Sequence, residues 1–206
     1  MHTSLRSFAP LAATLLLACG PSGPREFRVG LIGTFDGPMA SASGIPARDG
    51  ARLAVDELNA AGGIRIDGRR YRVVLIERET EARADAAAIA ARALINLDSV
   101  DVLVGPQTSA LAVAAGAVAE AAQVPMIAPM ASNPRVTDGR RFVTRLAFRD
   151  ETQGAALARF AFDSLNVRRA GALHEAASAY GRDITRLFSE TLEARGGQMV
   201  RVETFA

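Results

Sequence analysis

From about residue 27 onward, short apolar runs alternate with longer stretches in which apolar residues recur every three or four positions. The runs "RVGLIGTF" (28–35), "YRVVLI" (71–76), "VDVLV" (100–104), "PMIAP" (125–129), "FVTRLAF" (142–148), "RAGALH" (169–174) and "QMVRVETF" (198–205) read as strands. Between them lie helical patterns. Ala51, Ala54, Val55, Leu58 and Ala61 fall on one face, and Gly62-Gly63 closes that helix. Residues 82–96 are alanine-rich with Ile89 and Leu94, and 109–123 continue in the same style. Leu157, Phe160, Ala161 and Leu165 align within 150–165. Ile184, Leu187, Phe188 and Leu192 align within 181–195, which Gly196-Gly197 ends.

Strands alternating with helices predict an α/β fold with a doubly wound parallel sheet, helices on both faces. The apolar runs are continuous, as strands buried on both sides require. The second half holds one helix–strand–helix–strand run and is expected to form an incomplete sheet.

In such a sheet, ligands bind beyond the carboxyl ends of the strands where the winding reverses. If the order begins 71–76, 28–35, 100–104, 125–129, that crevice is faced by "FDGPMASASG" (35–44) and "GPQTSA" (105–110), with "MASNP" (130–134) beside them. All three loops are small and polar. The helix after residue 108 starts with unpaired N–H groups and the positive end of a dipole, and Thr108 and Ser109 add hydroxyls. Two readings stand side by side here. The segment is an anion cradle suited to a carboxylate, or an ordinary turn whose hydroxyl caps a helix.

The chain has 206 residues, 49% of them hydrophobic, which suffices for one sizeable core or two small ones. Its net charge is +2 and every cation is arginine. No block of like charge appears and aromatics make up 5%, so the basic stripe and stacking rings of a nucleic-acid binder are missing. The sequence holds no Lys, hence no phosphate-binding loop of the Gly-Lys-Ser/Thr kind and no Schiff base. "HEAAS" (174–178) lacks the second His of a zinc-protease helix, and His174 is the single histidine outside the N-terminal segment. We therefore expect no enzyme, no metal and no cofactor.

The N-terminus reads "MHTSLRSFAPLAATLLLACG". Arg6 precedes a run of about ten mostly apolar residues, too short to span a bilayer but fitting a secretory signal. The segment resembles a bacterial lipoprotein signal, with small residues directly before the chain's single cysteine, Cys19. The resemblance implies a signal peptide over 1–18, lipid on Cys19 and a membrane anchor. A plain signal peptide with a coincidental Cys is the alternative. Residues 19–26 are rich in Gly, Pro and Ser and read as a tether.

The stretches "VGLIGTFDGPMA", "GARLAVDELNAAGGI", "VDVLVGPQTSA", "VPMIAPMASNPRVT", "RLAFRDETQGAALARF" and "SAYGRDITRLFSETLEARGG" together resemble the type I periplasmic binding proteins, in particular the leucine/isoleucine/valine-binding branch. The resemblance implies two α/β lobes, here 27–146 and the beginning of a second over 147–206, with a ligand clamped between them and no chemistry. It implies an amino acid or similar small ligand and delivery to the permease subunits of an ABC importer, outside the cytoplasm. It places the ligand at Thr108, Ser109 and Ala110, at Met130, Ala131 and Ser132, and under Tyr180. The amino-acid binders of the family often carry Thr where Ser132 stands and a small residue where Met130 stands, and some relatives supply a Tyr in the first loop. These departures leave the ligand open among amino acids, aromatic acids, amides and urea. Family members are also considerably longer, so the chain is expected to correspond to about their first half and to bind weakly by itself. The same fold also serves as the receptor domain of ligand sensors, which is the alternative function.

Overall fold

A computed structural model describes residues 25–38 and 40–205. The expected signal peptide, Cys19 and most of the expected tether lie outside the described residues. Among the described residues no helix is long and apolar enough to cross a membrane.

The chain folds in the order β1 (Glu26–Gly33), α1 (Ile45–Ala60), β2 (Ile64–Ile66), β3 (Arg69–Glu79), α2 (Ala84–Asn96), β4 (Val102–Val104), α3 (Ser109–Ala122), β5 (Met126–Ala128), β6 (Val143–Arg145), α4 (Asp150–Arg159), β7 (Arg169–Glu175), α5 (Ala179–Ala194) and β8 (Gln198–Phe205). A six-stranded sheet has the order β2-β3-β1-β4-β5-β6, and β7 and β8 form a separate parallel pair. The expected parallel order, with the 71–76 strand outside the first and the third inside it, is present: Val29 pairs with Leu75 on one side and Val102 on the other.

One strand escaped the sequence pattern. Ile64–Ile66 runs antiparallel to the start of β3. Its turn, Asp67-Gly68, has φ of 49° and 76°, the left-handed pair that a two-residue hairpin needs. The run "IRIDGRRYR" carries that signal, but its charged alternation hides a three-residue edge strand behind the helix-ending glycines.

The core of the first lobe is asymmetric. Leu103, Met126, Ala128 and Val143 are buried on the side covered by α2 and α3, whereas Val102, Val104 and Ile127, pointing the other way, are half-buried. The two helices pack closely because alanines meet at the contact: Ala87, Ala90 and Ala91 of α2 and Ala112, Ala115 and Ala119 of α3 form one cluster with Leu94. Gly30 leaves the room this needs, since a Cβ there would stand 2.9 Å from Leu103 and 3.0 Å from Leu94.

Helix α1 lies on the opposite face, against β1 and β3. Of its predicted apolar face, Ala51 and Val55 are half-buried while Ala54 and Leu58 are exposed. Asn59 fastens it: its Nδ2 donates to the Val73 carbonyl (2.9 Å) and its Oδ1 accepts from the Val73 N–H (2.8 Å).

In the second lobe α5 lies against both β7 and β8, and α4 packs on α5. The contact again uses small residues, because a Cβ on Gly154 would come within 2.6 Å of Leu187. The apolar side predicted for 150–165 is not the packed side. Gly154 and Ala158 are buried, whereas Leu157, Phe160 and Leu165 are more than half exposed. The α-helix also ends at Arg159 and is followed by a wider π turn, Phe160–Ser164. Leu192 is the fully buried residue of α5, with Ile184, Leu187 and Phe188 half-buried beside it.

Candidate ligand-binding cleft

The carboxyl ends of β1, β3, β4 and β5 open on a cleft of about 550 Å³ that the start of α5 closes from the other lobe. Its first-lobe wall contains Thr34 and Ser43 from the region after β1, Ala82 and Ala84 after β3, Gln107 to Leu111 after β4, and Met130 and Ser132 after β5. Its second-lobe wall contains Gln153, Glu175 and the stretch Ala177 to Tyr180.

Backbone geometry forms the first-lobe wall. Gly105 turns the chain at φ +92°, and a Cβ there would stand 2.1 Å from the Ile32 carbonyl oxygen. A Cβ on Gly44 would stand 1.6 Å from the Thr34 carbonyl, so the loop ahead of α1 also lies directly on the end of β1. Glu79 joins the two outer loops: its carboxylate accepts from the N–H groups of Phe35, Thr80 and Glu81. The Thr34 and Thr80 hydroxyls share a hydrogen bond of 2.8 Å between them. Glu81 and Ala82 both take positive φ, 50° and 54°, which turns the lip after β3 toward the cleft.

The start of α3 bears on both readings of "GPQTSA". Thr108 is the N-cap residue, but its side chain makes no capping bond. The first intrahelical bond runs from the Ala112 N–H to the Thr108 carbonyl (2.9 Å). No group among the described residues accepts from the N–H groups of Ser109, Ala110 or Leu111. The hydroxyl of Ser109 is buried at the cleft and accepts from the Asn133 N–H at 3.3 Å. The turn therefore has no side-chain cap and keeps its first N–H donors aimed along the helix axis, as the starts of α2 and α4 also do.

Thr108, Ser109, Ala110, Met130, Ser132 and Tyr180 are brought together in one cleft. Ala131 differs: its methyl is buried in the first-lobe core and does not line the cleft. The reason is the turn after β5, where alternation sends Met130 and Ser132 to one side and Ala131 to the other. Met130 is 58% exposed and forms an apolar part of the rim. The Tyr180 hydroxyl donates to Gln153 Oε1 at 3.4 Å. Thr34, Ser43, Gln107, Gln153 and Glu175 join the lining without having been singled out. Ser43 and Gln107 belong to loops already placed at the crevice, while Ala82 and Ala84 follow no motif and depend on the left-handed turn before them.

Behind Ser132 lies Asp150, the first residue of α4. It is fully buried, and neither carboxylate oxygen has a hydrogen-bond partner. Burial pushes its carboxyl up from the ordinary value. Ser132 and Asn133 beside it act in the opposite direction, and the charges of Asp183 and Glu151 add to the rise. A helix N-terminus favours a carboxylate by about 0.3–1 kcal/mol, less than an unpaired buried charge costs, which accounts for the direction. The folded state thus holds this proton more tightly than the unfolded chain. Its contribution to stability is present at low pH and is lost as pH rises from the ordinary carboxylate value through the raised one. Asp150→Asn is expected to leave the protein at least as stable at pH 7, with a flatter stability profile as pH rises above the ordinary carboxylate range. Thermal melts across that rise in pH check this; a steeper profile in the variant would refute it.

An α/β scaffold with a cleft of mixed polar and apolar lining at its switch point is the architecture of a ligand-binding scaffold. The periplasmic binding protein family model matches residues 26–206, and the chain belongs to that family. Its members are extracytoplasmic solute-binding proteins. The chain is 32% identical to a Leu/Ile/Val-binding protein of Rhizobium johnstonii over 189 residues, 90% of this chain and 50% of that one. It is 27% identical to the leucine-specific-binding protein of Salmonella typhimurium, over 85% of this chain and 46% of that one. Among solved structures, the branched-chain amino acid transporter substrate-binding protein of Streptococcus pneumoniae in complex with isoleucine superposes with a TM-score of 0.79 at 32% identity, over 88% of this chain and 50% of that one. A solute-binding protein of an ABC transporter from Rhodopseudomonas palustris, in complex with 3,4-dihydroxybenzoic acid, gives 0.74 at 25% identity, over 87% and 47%. The chain spans about half the length of these relatives.

Proposed function

We propose that the protein captures a small carboxylate-bearing solute, an amino acid or a related acid, between its lobes as the binding component of an ABC importer. The uncapped first turn of α3, with Ser109 at its start, carries this reading. Isoleucine and 3,4-dihydroxybenzoic acid, the ligands of two relatives, differ in every part except a carboxylate. A site shared by both must read that group, and three free N–H donors with a dipole suit it. Ser132 supplies a second hydroxyl from the β5 loop, and Tyr180 covers the ligand from the second lobe. Thr34, Ser43 and Gln107 make the rest of the floor polar, which favours a ligand with hydrogen-bonding groups beyond its carboxylate. Lobe 1 is 27–146 in this reading, and 147–206 begins lobe 2. Lipid on Cys19 holds the protein at the membrane, on the periplasmic or outer cell surface, where permease subunits receive the solute.

A thermal-shift panel of L-amino acids, hydroxybenzoates, primary amides and urea tests this. Carboxylates are expected to raise the melting temperature saturably, since a ligand at 100 times its Kd adds about 2.7 kcal/mol. Stabilisation by amides and urea alone, or by nothing in the panel, would overturn the carboxylate reading.

A further inference from the structure

We propose that Asn133 and Asp183 form a closure latch, a positioning pair that holds the second lobe over the cleft. Neither residue lines the cleft, and the proposal rests on the two-lobed capture reading only in giving closure a purpose.

Asn133 is fixed entirely within the first lobe before it reaches across. It is 1% exposed. Its N–H donates to Ser109 Oγ, and its carbonyl accepts from Arg145 Nη1 at 2.7 Å. Its side-chain Oδ1 accepts from the Arg135 N–H at 3.0 Å, capping the short turn Pro134–Val136. That cap assigns the oxygen end of the amide and leaves Nδ2 pointing outward. There Nδ2 donates to Asp183 Oδ2, fifty residues along the chain and on α5.

Asp183 lies one helical turn after Tyr180, so both project from the same side of α5. Gripping Asp183 therefore sets where the Tyr180 ring stands over the cleft. The same two-residue segment is tied to α4, since the Asp150 N–H donates to the Ser132 carbonyl at 3.1 Å. Residues 132 and 133 thus join the α3 N-terminus, the crossing at Arg145 and both helices of the second lobe. Occupation of the cleft at Ser109 and Ser132 bears directly on the residues that hold the lobes together. The charged groups facing the latch are Arg145 of β6, Asp150 and Glu151 of α4 and Arg186 of α5.

The test measures lobe separation without any ligand. Spin labels on Leu97→Cys and Glu193→Cys, in a Cys19→Ser background, report the distance between lobes; both positions are exposed. The unlatched variant is Asn133→Asp. It keeps the oxygen that caps Arg135 and replaces the donor with an oxygen facing Asp183, and a circular-dichroism spectrum checks that the variant is folded. It is expected to lower the closed-to-open ratio at least tenfold, seen as a broadened, longer distance distribution. The swap Asn133→Asp/Asp183→Asn keeps the number of carboxylates constant and restores a donor–acceptor pair. It is expected to narrow the distribution again. An unchanged distance in Asn133→Asp, or a folded swap that stays open, would overturn the latch. A protein that binds no carboxylate would overturn the proposed function and leave this result standing.

Discussion

Ser109→Asp is expected to abolish capture of any carboxylate ligand while leaving the fold intact. Residue 109 is the first of α3, where an aspartate interacts favourably with the dipole by about 0.3–1 kcal/mol. The new carboxylate would sit against the same free amides that the ligand needs, satisfying them internally and repelling a second anion. Binding should weaken at least a hundredfold, about 2.8 kcal/mol. Ser109→Ala removes the hydroxyl, and with it the acceptor of the Asn133 N–H, but keeps the amides, so a loss of about tenfold is expected there. Titration calorimetry with the best carboxylate from the panel, alongside a thermal melt, separates the effects. Full affinity in Ser109→Asp would remove the α3 N-terminus from the site.

Gly105→Ala should produce a large loss of stability for a single added methyl. The residue holds φ +92°, where a side chain is strained, and the new Cβ would stand 2.1 Å from a backbone carbonyl of β1. Backbone cannot rotate aside as a flexible side chain would, so β1 and β4 must separate. Strain and overpacking together cost about 3 kcal/mol, a fall in Tm of roughly 10 °C. Gly37 and Gly139 also have positive φ, but a Cβ there meets nothing within 4 Å. Alanine at either should cost no more than about 1 kcal/mol. Equal melting temperatures for Gly105→Ala and Gly139→Ala would contradict the close-approach argument.

The strand order and the crevice were legible because periodicity and winding decide them. The apolar runs 28–35, 71–76, 100–104 and 125–129 became β1, β3, β4 and β5, and the small polar residues after them became the cleft wall. What stayed hidden depended on contacts between distant residues. Ala131 and Ser132 are neighbours in sequence, yet one enters the core and the other the cleft. Leu157 and Phe160 have the spacing of a buried face, but α4 meets α5 through Gly154 and Ala158, where close approach outweighs apolar area. Asn133 stood in a flagged loop as an ordinary turn residue before proline. Its role emerges only when α5 brings Asp183 against it.

The central claim, that a carboxylate binds the open first turn of α3, is tested most directly by amide chemical shifts. Adding an L-amino acid or hydroxybenzoate from the panel to isotope-labelled protein should move the N–H resonances of Ser109, Ala110 and Leu111 saturably and together. Resonances of Ala88 and Ala117, in the outer groove between α2 and α3, should remain still. Movement of the outer-groove resonances alone, or none at 109–111 with a ligand that stabilises the protein, would contradict the account.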